Sequence, residues 1–381
     1  MSKPFVLAHL SDPHLGPLPQ PGMRELASKR LVGYINWRRG RHRAHRRDAL
    51  DAITRDIHAT RPDHLAVTGD LVNIALQAEF THARRWLETL GRPADVSVVP
   101  GNHDAYVAAA GLHRDRHWLP YMAGDDALRH APSLQSRSAV ADCDHSIDGP
   151  KTAHARFRLE EVRRGGTKGL GAEVPESSRS TQDPSLAGRR DGSAAQQRDR
   201  SQQRPISVGA GEKIIFPYLR RRGPVGLVGV STAIPTPPFM ATGKVGEQQI
   251  ACVAKMLDNL RTENLFRVVM IHHPPLPSAR HKCLVDAVAF QRALAATGAE
   301  LIIHGHDHVH SLTWIAGNGA RVPVIGVPSA SASTSAKKRA GAYNLYFIGG
   351  GPGTWSCEVV SRGLRPSGAV AELNRFALSW S

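Results

Sequence analysis

The sequence lacks any long hydrophobic run. No stretch approaches the roughly 20 apolar residues that a membrane-spanning helix requires, so the pattern gives no transmembrane candidate. The first residues also differ from a secretory signal peptide, because Lys3 and Pro4 lead into a short apolar run that ends at Asp12. We therefore expect a cytoplasmic protein.

Cysteine is also scarce in this chain. The 381 residues include four cysteines, and none of them forms a CxxC pair. They are Cys143, Cys252, Cys283 and Cys357. This scattered distribution argues against both a disulfide scaffold and a zinc-thiolate site, so we expect four free thiols.

Acidic residues are fewer than basic ones, with 33 Asp and Glu against 49 Lys and Arg, so the formal net charge is +16. The excess is concentrated in a basic run from Arg24 to Arg47, which has nine Lys or Arg residues and a single acid, Glu25. Such a run is typical of a surface that attracts phosphate groups, nucleic acid or an anionic membrane face. It is equally typical of a solvated helix face, and Tyr34 and Trp37 would serve as stacking platforms or as core anchors.

Apolar residues are sparse in the middle of the chain, from residue 133 to residue 211. Within it, the stretch from Ser177 to Arg204 contains one large aliphatic residue, Leu186. This composition cannot bury enough surface to offset chain entropy, so we predict a disordered insertion. A regulatory or partner-binding segment is the alternative. The expected organisation is a single domain over residues 1–360, interrupted by this insertion, with a C-terminal tail at 361–381.

Short apolar runs alternate with amphipathic stretches in the first part of the chain. Strands are predicted at 5–10, 64–68 and 96–99, and helices at 46–60 and 78–90. The alternation is the signature of an α/β fold with at least partly parallel strands. A second strand–helix alternation follows the insertion. The last third then reads as successive, antiparallel strands without helices between them.

Five polar clusters each follow a predicted strand. They are Asp12-x-His14, Gly69-Asp70, Gly101-Asn102-His103-Asp104, His272-His273 and Gly305-His306-x-His308. Ligands gather at the carboxyl ends of strands in open α/β sheets, so we expect the clusters to converge. Carboxylates and imidazoles favour Mn, Fe, Zn or Co. Seven candidate ligands exceed the four of a structural zinc site and suit two ions that share a carboxylate and clamp a phosphoryl group.

This ordered set of motifs resembles the calcineurin-like metallophosphoesterase superfamily, whose DxH, GD, GNHD, later His and GHxH motifs are all present. The run from His272 to Pro275 and the compact size are most similar to bacterial class III cyclic nucleotide phosphodiesterases and related glycerophosphodiesterases. The resemblance covers about 5–121 and 216–360. It implies a four-layer α/β/β/α sandwich of two mixed sheets.

The resemblance also implies a role for each candidate site residue. The first metal would be bound by Asp12, His14 and His308, the second by Asn102, His272 and His306, and both by Asp70. His103 would donate a proton to the leaving oxygen or stabilise charge on the phosphoryl oxygens. Asp104 would hydrogen-bond His103 and fix its orientation. A hydroxide that bridges the two metals would be the nucleophile.

The remaining histidines near these motifs are harder to assign. His273 competes with His272 as the ligand, and the family pattern favours His272 because it comes first after the strand. His304 reads as a strand residue rather than a ligand. The scattered histidines, among them His9, His42 and His45, are interpreted as structural or surface groups.

The function expected from this chemistry is hydrolysis of a phosphodiester of the cyclic nucleotide or glycerophosphodiester class. A phosphomonoesterase and a pyrophosphatase acting on a nucleotide-linked lipid use the same metal chemistry and remain alternatives. A nuclease is less favoured, because no recognised nucleic-acid-binding module is visible. A scaffold that has lost catalysis is disfavoured by the complete ligand set.

Overall fold

Two six-stranded mixed sheets form the framework of the protein, in a computed structural model that describes residues 3–125, 216–334 and 340–380. All of the described ranges fall in one structural unit. The insertion predicted for 133–211 lies outside the described residues.

Twelve strands are present in the described residues, and those predicted at 5–10, 64–68 and 96–99 are the first three of them. In chain order they are β1 Phe5–Leu10, β2 His64–Val67, β3 Val96–Val98, β4 Tyr218–Arg222, β5 Val225–Gly229, β6 Phe266–Met270, β7 Leu301–His304, β8 Ser311–Ile315, β9 Val322–Gly326, β10 Ala342–Gly349, β11 Ser356–Leu364 and β12 Val370–Ala377. One sheet has the order β12-β11-β10-β1-β2-β3, and the other has the order β4-β5-β6-β7-β9-β8. Each sheet contains a run of neighbouring parallel strands. In the first sheet this run is β1 to β3, at one edge, and in the second it is β5 to β7 with β9, in the middle.

The helices divide into long ones that cover the sheets and short ones between β1 and β2. They are α1 Met23–Leu26, α2 Arg30–Asn36, a π-helical turn Trp37–Arg41, α3 His42–Ala44, α4 Arg47–Thr60, α5 Gln77–Leu90, α6 Ala110–Met122, α7 Glu247–Thr262 and α8 Ala287–Thr297. Residues 23–45, which contain all the short helices, are called the capping segment below. Among the described residues, no helix is both long and apolar enough to cross a membrane.

The core explains why the two sheets lie face to face. Successive side chains of a strand point to opposite faces of its sheet. Val268 and Met270 of β6 accordingly join a cluster that also contains Leu7 of β1, whereas Val269 joins a second cluster with Leu257 of α7. One face of the second sheet therefore packs against the first sheet, and the other face packs against helices. The α/β/β/α sandwich of two mixed sheets is confirmed.

The apolar residues of the helix predicted at 46–60 face the core, as their spacing predicts. Leu50, Ile53 and Ile57 of α4 are almost fully buried and belong to the cluster that contains β1. Burial of such a side chain stabilises the fold by about 1.5–3 kcal/mol. The helix therefore forms the outer layer of the first sheet, as its sequence periodicity predicts.

Two expectations are wrong. The C-terminal tail predicted from residue 361 is part of the fold, since β11 continues to Leu364 and β12 pairs with it antiparallel. Leu378 is buried, and the Trp380 indole N–H donates to the Glu300 carbonyl oxygen (2.8 Å). Four free thiols are not found either, because Cys252 is disulfide-bonded, whereas Cys283 and Cys357 are free.

Candidate metal centre

The candidate site lies where the parallel strands of both sheets end. β1 leads to Asp12, β2 to Asp70, β6 to His272, and β7 to His306 and His308. Backbone hydrogen bonds join these loops: the Asp12 N–H donates to Gly69 O (2.9 Å), and the Gly305 N–H donates to His272 O (3.2 Å). The convergence expected from the strand pattern is therefore found.

One carboxylate oxygen lies between the two groups of predicted ligands. Asp70 Oδ2 is 3.8 Å from His14 Nε2 and 3.5 Å from His272 Nε2. Asp70 Oδ1 faces the other way and accepts a hydrogen bond from the His103 backbone N–H (2.7 Å). Asp70 thus presents a single oxygen to both sides, which is the arrangement that a bridging ligand needs.

The first group of predicted ligands surrounds Asp12. Asp12 Oδ1 lies 3.0 Å from His308 Nε2 and 3.8 Å from His14 Nε2. One ligand atom from each of Asp12, His14 and Asp70 lies within 4.8 Å of the others. The second group surrounds Asn102, whose Oδ1 lies 3.2 Å from His272 Nε2 and 3.1 Å from His306 Nδ1.

Backbone carbonyls select which imidazole nitrogen faces the centre. His14 Nδ1 lies 3.3 Å from Val72 O, and His272 Nδ1 lies 2.6 Å from Thr68 O. His306 is reversed, since its Nε2 lies 2.9 Å from Lys282 O. A carbonyl accepts only from a protonated nitrogen, so the other nitrogen of each ring is the one that faces the centre and would bind a metal ion. Such partners orient the ligands of metal sites.

The backbone is strained at the same positions. Nine non-glycine residues in the described ranges have positive φ, and five of them are predicted ligands. They are Asp12 (52°), His14 (36°), Asp70 (56°), His306 (70°) and His308 (53°). A residue with a side chain adopts this region at a cost, and such strain clusters at functional sites.

Glycines allow the loops to approach each other. A Cβ at Gly101 would collide with Asp70 Oδ1 and the Asp70 backbone nitrogen, and a Cβ at Gly305 would collide with Ser11 Oγ and Asp12 Oδ2. The glycines of the GNHD and GHxH motifs are therefore required by packing against the carboxylates.

The field at the centre favours a positive charge. Burial alone would raise the pKa of the Asp70 carboxyl, but His272 and the other imidazoles around it hold that pKa well below its usual range. Burial would lower the pKa of His272, yet the charge and hydrogen bonding of Asp70, together with Asp12, raise it to about 10. The negative charge of the buried carboxylates, which favours the protonated form of His272, would also attract a metal cation.

The donor set fits two divalent ions. Two carboxylates, four imidazoles and one amide oxygen converge, and Asp12, His14, Asp70 and His272 are fully or almost fully buried. Imidazole with carboxylate suits Mn, Fe, Zn and Co. The described residues therefore provide enough ligands for two ions.

His103 lies beside the ligands on the more accessible side. Its ring centroid is 5.0 Å from that of His14, and it stacks on Tyr106 at 5.5 Å. Its Nδ1 hydrogen-bonds Asn73 O, so Nε2 is the nitrogen available to a substrate. Burial and then the neighbouring Arg41 guanidinium lower the pKa of His103 to about 3.

The role predicted for Asp104 is wrong. Its carboxylate does not meet the His103 ring, whose partner among the described residues is the Asn73 carbonyl. It accepts from backbone N–H groups of four residues instead, at 2.8 to 3.1 Å: Asp70, Leu71, Val72 and Gly101. Asp104 thus joins the GD loop to the GNHD loop and positions Asp70.

Two residues of the capping segment that were not predicted reach the centre. Arg41 Nη2 lies 3.0 Å from His14 Nε2. His45 offers a nitrogen within 4.8 Å of those of His14 and His308, and its Nδ1 lies 2.9 Å from Ser331 Oγ. His45 was interpreted as structural or surface, and the basic composition around both residues gave no local signal that separates them from their neighbours.

Three further buried histidines near the centre form hydrogen bonds with other protein groups. His273 lies near His272 and His306, but its Nδ1 is 2.7 Å from Thr232 Oγ1 and its Nε2 is 3.0 Å from Ala241 O. Neither of these partners is a predicted ligand, whereas His272 Nε2 faces Asp70 Oδ2 and Asn102 Oδ1, which favours His272 as the ligand. His304 is a strand residue, as predicted, and buried His9 contacts Thr68 Oγ1.

Comparison with known proteins gives one family match and several structural similarities. Residues 5–144 match the model of the calcineurin-like phosphoesterase family. A dimetal phosphatase from Danio rerio is 12% identical, with a TM-score of 0.48 and coverage of 100% of both chains. A purple acid phosphatase from yellow lupin is 9% identical, with a TM-score of 0.45, and the match covers 100% of this chain and 54% of that one.

These structural similarities are weak, because both TM-scores lie below 0.5. No curated protein matches the chain. The family match covers the DxH, GD and GNHD motifs, which supply Asp12, Asp70 and Asn102. Over residues 5–144 the chain is thus similar to the calcineurin-like phosphoesterase family.

Proposed function

We propose that this protein hydrolyses a phosphodiester with two divalent metal ions at the candidate metal centre. The observation that carries the proposal is the position of Asp70 Oδ2 between His14 Nε2 (3.8 Å) and His272 Nε2 (3.5 Å). One buried carboxylate oxygen between two ligand groups suits a bridge between two ions, and paired ions serve in-line displacement at phosphorus.

Each predicted ligand has a place in this proposal. Asp12, His14 and His308 would hold the first ion, Asn102, His272 and His306 the second, and Asp70 both. When bound, two such ions neutralise charge on the phosphoryl oxygens and activate water for attack. His103, held through Nδ1 by Asn73 O, would donate a proton from Nε2 to the leaving oxygen. Asp104 would act through Asp70 as a positioning residue.

The substrate class that we propose is a cyclic nucleotide or a glycerophosphodiester, from the motif resemblance. The metal identity within Mn, Fe, Zn and Co is open, and a cytoplasmic location stays a prediction from sequence. A phosphomonoester or a nucleotide-lipid pyrophosphate would use the same ligands. The choice between them is therefore a question for substrate comparison.

The experiment is hydrolysis of bis(p-nitrophenyl) phosphate and of p-nitrophenyl phosphate by the full chain. Each substrate is assayed with manganese, with zinc and with a chelator. Metal-dependent turnover that favours the diester supports the proposal. Preference for the monoester would make the protein a phosphatase, and chelator-resistant turnover would overturn the metal mechanism.

The capping segment suggests a second contact, with an anionic lipid surface. Arg38, Arg39 and Arg43 are exposed, and so are Leu31 (47%) and Ile35 (39%). Cations beside exposed aliphatic side chains suit a lipid headgroup layer, to which each basic residue contributes about 1 kcal/mol.

Sedimentation with phosphatidylglycerol-containing vesicles tests this contact. Replacement of the three arginines by Gln should abolish sedimentation, and vesicles of phosphatidylcholine alone should not bind. Binding of single-stranded DNA but not of anionic vesicles would assign the surface to nucleic acid instead.

A further inference from the structure

Arg41 differs from the other arginines of the capping segment in where it points. Arg39 and Arg43, two positions away on either side, are exposed, whereas Arg41 is partly buried. Its Nη2 lies 3.0 Å from His14 Nε2 and 3.3 Å from His14 Nδ1. The basic run therefore delivers one guanidinium to the candidate metal centre.

The Arg41 guanidinium has no carboxylate partner in an ion pair among the described residues, although Asp12 and Asp70 lie close enough to act on its charge. Arg46 and Arg47, by contrast, pair with Asp48 and Asp51. A guanidinium at a buried site normally has an anionic partner, so Arg41 is suited to an anion that comes from outside the protein.

The capping segment does not depend on Arg41 for its position. At one end, Arg30 donates to the carbonyl oxygens of Ile74 (3.1 Å) and Ala75 (2.6 Å). At the other end, the Ser333 N–H donates to Ala44 O (2.8 Å), and the Arg46 N–H donates to Ser331 O (2.8 Å). Because both ends are fixed by other contacts, the fold does not explain why an arginine occupies position 41.

We propose that Arg41 is a substrate-binding residue that pairs with the phosphoryl oxygens of the ester, an inference that rests on the proposed function. His14 Nε2 has one lone pair, which a metal ion and the Arg41 N–H cannot use together. An ion at His14 therefore leaves the guanidinium at the centre without that acceptor. The planar fork of a guanidinium matches two phosphoryl oxygens, so a bound phosphate group provides the replacement.

The test measures binding of inorganic phosphate to the full chain by calorimetry, together with metal content and steady-state kinetics. Arg41→Ala should weaken phosphate binding roughly 10- to 100-fold, the loss typical of hydrogen bonds to a charged group. Its metal content and thermal unfolding temperature should match those of the wild type. Arg41→Lys should recover part of the affinity, because it keeps the charge but loses the fork.

Arg55→Ala is the matched control, because Arg55 is exposed on α4 and lies outside the site. It should leave phosphate affinity unchanged. Equal phosphate affinity in Arg41→Ala and wild type, with metal retained in both, would overturn this inference and leave the proposed function intact.

The two proposals can also fail in other combinations. A wild-type protein that holds no metal would overturn the proposed function, and with it the inference that rests on it. Absence of phosphate binding in the wild type would overturn the inference. Loss of metal in Arg41→Ala would show that the residue supports the ligands rather than the substrate.

Discussion

At the scale of single residues, Asp70 connects the parts of the centre. Its Oδ2 faces His14 and His272, its Oδ1 accepts from the His103 backbone N–H, and its own N–H donates to Asp104 Oδ2. A change at this carboxylate therefore affects both groups of ligands at once.

Asp70→Asn should remove at least one of the two bound ions and abolish turnover. The amide keeps the shape of the carboxylate but lacks the charge that a bridge between two cations requires. Metal content and hydrolysis of bis(p-nitrophenyl) phosphate are the measurements. Asp51→Asn, on the surface of α4, is the control and should behave as the wild type. Full turnover in Asp70→Asn would exclude the bridging role.

His103→Ala should retain both ions and lose rate by roughly 10²–10⁴, the range for removal of a general acid. Its side chain is held by Asn73 O and stacks on Tyr106, without a ligand contact that the ions would need. The measurements are metal content and kcat on the diester. Loss of metal in this variant would mean that His103 is itself a ligand.

The convergence of the candidate ligands could be predicted from the sequence because their motifs are short and each follows a strand. The roles of Arg41, His45 and Asp104 could not. Arg41 and His45 belong to a run in which neighbouring basic residues have the same composition, and only the folded capping segment directs them inward. Asp104 follows His103 in the chain, but the turn points its carboxylate to the backbone of the GD loop instead.

At the scale of secondary-structure elements, the loops after the strands form the site through strained backbone and close packing. Asp12, Asp70 and His306 have positive φ, and Gly101 leaves no room for a side chain beside Asp70. The regular strands below these loops hold them in position. The precision of the site therefore depends on the loops staying close together.

Gly101→Ala should separate the GD and GNHD loops. The added methyl group would meet Asp70 Oδ1 and backbone, and overpacking of this kind costs about 1–3 kcal/mol. Both the thermal unfolding temperature and metal affinity should fall. Gly111→Ala, in α6, is the control, because the nearest atom to its Cβ would be Arg114 Nη2 at 3.9 Å. An undiminished metal affinity in Gly101→Ala would show that the loops do not need this contact.

Elements with clear periodicity were predicted and elements without it were not. The apolar residues of strand β6 and helix α4 recur at the spacing of a buried strand and of an amphipathic helix. The positions of both elements could therefore be predicted from the sequence. Strand β12 is mostly exposed and lacks an apolar alternation, and it forms only because β11 offers an edge for pairing. Tertiary pairing of this kind leaves no local signal.

At the scale of the whole molecule, the described residues on the two sides of the predicted insertion meet each other. Asp125 accepts from the Arg221 backbone N–H (2.7 Å) and pairs with Arg222 through Oδ1 (2.7 Å). Gly124 lies against the Leu219 backbone. The described residues before and after the predicted insertion are thus held together by direct contacts between them.

Deletion of residues 133–211, with a short Gly-Ser linker in their place, should leave a folded protein that binds metal. Closing a short loop between neighbouring ends costs little entropy. Thermal unfolding and metal content are the measurements, and the kinetic constants should lie near those of the full chain. An insoluble product without metal would mean that the segment belongs to the fold.

The most direct test of the account is the number of ions bound per chain. The full chain is stripped with a chelator, reconstituted separately with manganese and with zinc, freed of excess ion and analysed by mass spectrometry of the metals. The seven converging ligands and the position of Asp70 predict two ions per chain, with loss of at least one in Asp70→Asn. One ion or none per wild-type chain would contradict the binuclear centre.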